Sequence, residues 1–312
     1  MAAPELKAIP IICGPTGSGK TAVALRLAEQ LPIEIISADS RQIIKHLDIG
    51  TAKPTAAERA KIKFHLIDII EPGERYTAFR FIDGATRAIE SIISNGKIPL
   101  IVGGTGLYLR ALSEGVVEVE QGDLSVRENL EEEMERLGPD KMHEKLSAID
   151  PDEAARIHPH NRVRVIRALE IYHLTGKPKS KLTANGSYRK SEHDFAYFCL
   201  TPPRDELYDA INARVDQMIA AGLLEEVRTL VEKGLKKRIK VANVIGYNEV
   251  LDHLYGNLSL DEAVNLIRQN SRRYAKRQMT WFRKQQGCEY FSNRQSLAEA
   301  IVSYCQPPTN TG

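Results

Sequence analysis

The stretch Gly14-Pro15-Thr16-Gly17-Ser18-Gly19-Lys20-Thr21 follows the apolar run Ile9–Cys13 and precedes an alternating apolar and polar run over residues 22–31. It reads as strand, glycine loop and helix, a complete P-loop in its proper context. Reversing the chain around an anion gathers several backbone N–H groups into one concave nest, and glycine takes the required angles without steric cost. Gly14, Gly17 and Gly19 fit that role. Lys20 would reach the terminal phosphates, Thr21 would hold Mg²⁺ through its hydroxyl, and the positive end of the following helix favours the anion. The whole loop, Pro15, Thr16 and Ser18 included, predicts binding of a di- or triphosphate. It leaves the reaction open, because kinases, NTPases and a few diphosphate-using transferases share it.

Around the loop, residues 9–112 alternate strands with helices. Strands are expected over 9–13, 33–37, 64–69 and 98–102, and helices over 21–31, 55–61 and 76–95. The pattern predicts an α/β fold, a P-loop NTPase-like parallel sheet flanked by helices. In such sheets ligands bind beyond the carboxyl ends of the strands. Two further strand endings therefore draw notice, Ala38-Asp39-Ser40-Arg41-Gln42 and Gly103-Gly104-Thr105-Gly106. Asp39 suits an Asx turn or a helix cap as well as chemistry, although the three polar residues after it weaken the cap. Gly103 to Gly106 suit a tight turn with Thr105 as N-cap, or the close approach of a large ligand to bare backbone.

From about Gly115 the character changes. Helical periodicity over 126–137, 140–149, 152–157 and 162–174, with hardly a strand signal, predicts an all-helical insertion domain. The expected division is a core of residues 1–114 and 191–312 and an insertion of residues 115–190. The acidic run from Asp123 to Arg136 reads as a solvated helix face, and Lys177 to Lys190 as a mobile loop. Arg162, Arg164 and Arg167 form a basic stripe that suits phosphates or solvent. The core resumes with a strand over 194–200 and an amphipathic helix over 204–232 that carries Arg214 and is interrupted near Gly222. After the basic residues 233–240 and a further helix, residues 260–286 form a long helix with Arg268, Arg272 and Lys276 in one row and Arg273 and Arg277 beside it. No acid interrupts 268–284, and Tyr274, Trp281 and Phe282 are interleaved. Such a face suits a nucleic-acid backbone, or a solvated helix whose aromatics enter the core. Past Ser296 a short helix gives way to a polar tail that reads as disordered.

The 312 residues are 42% hydrophobic, enough for a sizeable core. A net charge of +2 means that any nucleic-acid contact comes from a local basic surface. Cys13, Cys199, Cys288 and Cys305 lie far apart without a C-x-x-C pair, so they read as reduced structural thiols, and no zinc site is legible. Met1 to Lys7 lacks the apolar centre of a signal peptide and no run is long enough to span a bilayer, so a cytoplasmic protein without membrane contact is expected. Nothing marks an obligate partner, and a monomer is expected.

Several motifs stand in one order: the P-loop, Asp39-Ser40-Arg41-Gln42, Asp48-Ile49-Gly50-Thr51-Ala52-Lys53-Pro54, Gly103-Gly104-Thr105-Gly106-Leu107-Tyr108, Ile166-Arg167-Ala168-Leu169-Glu170, and Tyr274-Ala275-Lys276-Arg277-Gln278-Met279-Thr280-Trp281-Phe282. Together they closely resemble the bacterial tRNA dimethylallyltransferases, or tRNA isopentenyltransferases, from about Ile11 to Arg283. The resemblance implies transfer of a dimethylallyl group from dimethylallyl diphosphate to N6 of the adenosine just 3′ of the anticodon, position 37. It implies that Thr16, Lys20, Thr21 with Mg²⁺, and Arg214 neutralise the diphosphate as the allylic C–O bond breaks, and that Asp39 is the general base. Asp39, Ser40, Arg41 and Gln42 with Thr105 would recognise a flipped-out adenosine and its neighbours. Arg127 and the segment Val163, Arg164, Val165, Ile166 and Arg167 would close on the anticodon stem, and Arg272 and Lys276 on the basic helix would add phosphate contacts. The chain departs from the usual pattern at Val163 (commonly glutamine), Ile44 (tyrosine), Phe64 (histidine), Asn248 (lysine), Ser271 (threonine) and Gly17 (often alanine). Val163 removes one polar tRNA contact and Ile44 one aromatic surface. Other readings are an isopentenyltransferase of free adenine nucleotides, a P-loop small-molecule kinase, and a tRNA-binding module without catalysis. The insertion and the basic last helix argue against a small acceptor.

Overall fold

The computed structural model describes residues 6–117, 124–184 and 188–306. The chain divides into two compact units, one taking it up to Ser113 and again from Ser191, the other spanning Glu114–Lys190.

In the larger unit the isoleucine-rich runs β1 (Ile9–Cys13), β2 (Ile33–Ser37) and β4 (Ile98–Gly103) are buried along their whole length, as a parallel sheet covered on both faces requires. With β3 (Phe64–His65), β7 (Phe195–Leu200) and β8 (Cys288–Phe291) they form a six-stranded sheet in the order β3-β2-β4-β1-β7-β8, each pair parallel. Ile12, Ile35, Leu100 and Phe198 turn one face toward α1 (Lys20–Leu27) and α15 (Arg294–Cys305), meeting Val23, Leu27, Leu297 and Ile301. Other helices of this unit are α2 (Ala56–Lys61), closed by a Thr55/Glu58 capping box, α3 (Ala78–Ser94) and α4 (Gly106–Glu114). The helix expected over 204–232 is two, α10 (Arg204–Ala220) and α11 (Leu223–Glu232), because Gly222 at φ 97° turns the chain between them. After α12 (Lys236–Ala242) and α13 (Tyr247–Leu254), the long α14 (Leu260–Phe282) starts from a Ser259/Glu262 capping box.

In the smaller unit α5 (Leu124–Leu137), α6 (Pro139–Ile149), α7 (Pro151–Ala154) and α8 (Arg162–Thr175) supply a core of Leu130, Met134, Met142, Leu146, Val165 and Leu169. Two features depart from a purely helical insertion. β5 (Val116–Val117) and β6 (Tyr188–Arg189) pair as an antiparallel ribbon, and the segment expected to be a mobile loop carries α9 (Lys179–Ala184).

Three other differences have causes that can be named. The strand expected over 64–69 stops at His65, since Leu66 and Asp68 take left-handed angles (φ 61° and 57°) and the Asp68 carboxylate is held by Lys53 and, at 2.7 Å, Arg59. The short β8 carries no apolar alternation by which it could be foreseen. Its pairing brings Cys288 to Cys13 and Cys199, so three thiols distant in sequence have sulfurs within 4.8 Å of one another, unlike the dispersed thiols expected. Asp123 and the tail over 307–312 lie outside the described residues. Among the described residues no helix is long and apolar enough to cross a membrane.

Candidate active site

Parallel strands deliver the ends of β1, β2 and β4 to one edge of the sheet, and the three strand-ending loops meet there. Gly14, Gly17 and Gly19 have φ of 137°, 81° and 96°, the left-handed region that the loop needs. A Cβ at Gly17 would stand 2.6 Å from the Ile211 side chain of α10, so a larger residue there would require Ile211 to move. Lys20 folds back over its own loop, its Nζ donating to the carbonyls of Gly14 (3.0 Å) and Pro15 (2.7 Å). Burial lowers its pKa to about 8, against the pull of the Asp39 carboxylate.

Arg214 reaches the loop from α10. Its Nη1 donates to Thr16 Oγ1 at 3.2 Å and its Nη2 to the Thr51 carbonyl at 3.5 Å. Burial lowers its pKa too, again opposed by Asp39. Arg214 Nε and the Ser18 hydroxyl are both buried and have no partner among the described residues. A polar group left so is costly unless something else satisfies it. An anion in the nest would satisfy Arg214 Nε, and its oxygens would accept from Ser18. The Thr21 hydroxyl, in the first turn of α1, likewise makes no hydrogen bond among the described residues and is a hard oxygen of the kind Mg²⁺ prefers, so the loop fits a metal-bound diphosphate.

At the second ending Asp39 makes the Asx turn: Oδ1 accepts from Arg41 N (2.8 Å) and Gln42 N (3.4 Å). Oδ2 takes no hydrogen bond among the described residues, so one oxygen builds the loop and the other is available for chemistry. Ser40 N donates to Thr105 Oγ1 at 2.9 Å. The Thr105 hydroxyl thus ties the second loop to the third. The Gly103-Gly104 pair is explained by loop packing, since a Cβ at Gly103 would overlap the Ala38 backbone. Arg41 donates to the Ala242 carbonyl (2.8 Å), while the Gln42 amide accepts from Ser37 Oγ (3.1 Å) and donates to the Ala52 carbonyl (3.0 Å). Both side chains shape the loop from within.

Gln278 lies within the motif over 274–282 of α14, with no role marked by its local pattern. It is buried, accepts from Thr16 N at 2.8 Å and donates to the Gly104 carbonyl at 2.9 Å. One amide thereby joins the P-loop, the β4 loop and the last long helix. A glutamine on the apolar side of an amphipathic helix is the signal that could have found it.

On the basic face of α14, Arg268 pairs with Asp216 and Arg272 donates to Asn212 Oδ1 at 2.6 Å, so these two secure α14 to α10. Arg273, Lys276 and Arg277 remain exposed without an acidic partner among the described residues. In the helical unit Arg127 and Arg167 converge on Glu170, at 3.5 and 3.0 Å. Val163 is 67% exposed and Arg164 is exposed, but Val165 and Ile166 are 0% and 5% exposed. Those two side chains belong to the unit's core, which corrects their inclusion among surface contacts.

Residues 42–285 match the family model described as IPP transferase, and residues 7–68 one described as isopentenyl transferase. A tRNA dimethylallyltransferase 1 of Pelobacter propionicus is 48% identical over 90% of this chain and 91% of its own. The tRNA dimethylallyltransferase of Geobacter metallireducens is 46% identical, with 90% and 91% covered. Among solved structures, a full-length tRNA isopentenylpyrophosphate transferase from Bacillus halodurans superposes with a TM-score of 0.67 at 40% identity, covering 96% of this chain and 97% of that one. A eukaryotic dimethylallyltransferase acting on tRNA gives 0.81 at 30% identity, with 95% and 78% covered.

Proposed function

The chain belongs to the IPP transferase family, and on that premise we propose that it transfers a dimethylallyl group from dimethylallyl diphosphate to N6 of adenosine 37, 3′ of the anticodon, in tRNA. The observation that carries this reading is one sheet edge where Ser18 Oγ of the P-loop and Arg214 Nε of α10 are buried without a partner among the described residues, beside a carboxylate oxygen, Asp39 Oδ2, that likewise takes no hydrogen bond among them.

Each residue has a part in that reaction. The loop amides, Lys20 and Arg214 take the negative charge that develops on the diphosphate as the allylic C–O bond breaks. Thr21 would hold Mg²⁺ there, and the bound ion adds positive charge to the leaving group. The exocyclic amine of adenine is a weak nucleophile, so Asp39 Oδ2 accepts its proton as the N–C bond forms. Water would compete for the electron-deficient carbon. A flipped-out adenine seated against the strand-ending loops would exclude it, and Ser40 and Thr105, joined by the hydrogen bond from Ser40 N to Thr105 Oγ1, are the residues to receive it. Arg273, Lys276 and Arg277 on α14, and Arg127, Arg164 and Arg167 on the helical unit, are the side chains for the phosphates of the anticodon stem.

The test is mass spectrometry of an unmodified anticodon stem-loop and of AMP, each incubated with the protein, Mg²⁺ and dimethylallyl diphosphate. One prenyl unit on the stem-loop adenosine, with AMP untouched, is the expected result. Gain on AMP alone would make this a free-nucleotide enzyme, and gain on neither would return the P-loop to phosphate transfer.

A further inference from the structure

The three gathered thiols take no part in the chemistry above. Cys13 and Cys199 are direct partners in the β1 and β7 register, and Cys288 stands opposite Tyr197 in the β7 and β8 register. Tyr197 and Cys199 are two residues apart, and side chains alternate across a sheet, so all three cysteines lie on one face. Their sulfurs are within 4.8 Å of one another. Three sulfurs held about 2.3 Å from a shared ion stand roughly 4 Å apart, so small side-chain rotations would close the group on a metal. Cys13 and Cys199 are buried, while Cys288 is half-exposed on the strand at the sheet's edge and offers an ion a way in. No histidine or carboxylate among the described residues joins them.

We propose that Cys13, Cys199 and Cys288 form a three-thiolate site for a soft, thiophilic cation of the Cu(I) type, immediately behind the P-loop. Three soft ligands complete the coordination of Cu(I), whereas zinc takes four and Mg²⁺ takes oxygen. Binding forms three S–Cu bonds, releases to solvent the protons still held on sulfur, and changes no oxidation state. The site is independent of the prenyl-transfer reading, since its ligands touch neither acceptor nor diphosphate.

Titration of the reduced full chain with Cu(I), anaerobically and against a chromophoric Cu(I) chelator, tests it. One equivalent per chain is expected, with near-ultraviolet thiolate-to-copper absorption. Cys288→Ser, at the half-exposed edge position, is expected to weaken binding by about 100-fold or more, while Cys305→Ser, outside the cluster, leaves it unchanged. Cys199→Ser, shown folded by circular dichroism, is expected to repeat the loss. Failure to take one equivalent from the chelator, binding that survives Cys288→Ser, or an equal loss in Cys305→Ser would overturn the site.

Discussion

Asp39 divides its carboxylate between two tasks, and the division can be tested atom by atom. Oδ1 closes the turn that holds Ser40 to Gln42, and Oδ2, which takes no hydrogen bond among the described residues, is the oxygen proposed to receive the proton of the acceptor amine. Asparagine retains an oxygen for the turn but removes the base, so Asp39→Asn is a sharper probe than alanine. We expect kcat to fall by about 10² or more with stem-loop affinity within about threefold of wild type, measured by single-turnover prenylation and filter binding. Near-normal turnover would remove Asp39 from the mechanism. Lys20 makes a pH prediction. Burial holds its pKa at about 8 in the unliganded protein, and a bound diphosphate would favour the charged form and raise it. The Lys20 contribution to diphosphate affinity should therefore be full and independent of pH below 8 and decline above it, by up to about tenfold per unit until the raised pKa is reached. Lys20→Arg, charged throughout, should lack this added slope in calorimetric titrations with pyrophosphate.

At the scale of the element, α14 does more than present positive charge. Gln278 ties it to two strand-ending loops, and Arg268 and Arg272 tie it to α10. Gln278→Leu removes a shared partner from the Thr16 amide and the Gly104 carbonyl. It should cost about 1–3 kcal/mol in urea unfolding and weaken diphosphate binding by loosening the Thr16 end of the P-loop. Lys276 is exposed, and Lys276→Ala should lower stem-loop affinity and flatten the dependence of log K on log salt by about one. The sheet was legible because β1, β2 and β4 are uniform apolar runs with turn residues after them. β8 was not, because a four-residue strand with Glu289 exposed has no periodicity to read. The site divided in the same way. Glycine spacing announces a P-loop locally, but the partners of Asp39, the orphaned Arg214 Nε and the thiol cluster depend on contacts between residues far apart in the chain. Val165 and Ile166 show a related limit: a motif names a segment, and the helix decides which of its side chains face outward.

At the scale of the whole molecule, the chain leaves the larger unit at Ser113 and returns at Ser191, and the two ends are adjacent, since Ser191 N donates to the Leu112 carbonyl at 3.1 Å. The helical unit has its own core, and the larger unit owes none of its sheet order to it. Such an insertion can be replaced without opening a long loop in its host. Joining Ser113 to Ser191 through a short glycine-serine linker should therefore leave a cooperatively folding protein that still binds pyrophosphate with Mg²⁺. If the insertion serves the anticodon stem, the shortened protein should lose stem-loop affinity by about tenfold or more while pyrophosphate affinity stays within about threefold. Calorimetry with pyrophosphate and filter binding with the stem-loop read the two separately. Retained stem-loop affinity would place tRNA recognition wholly on α14 and the strand-ending loops. Loss of both would mean that the diphosphate site depends on the helical unit, which neither the sheet topology nor the separate cores gives reason to expect.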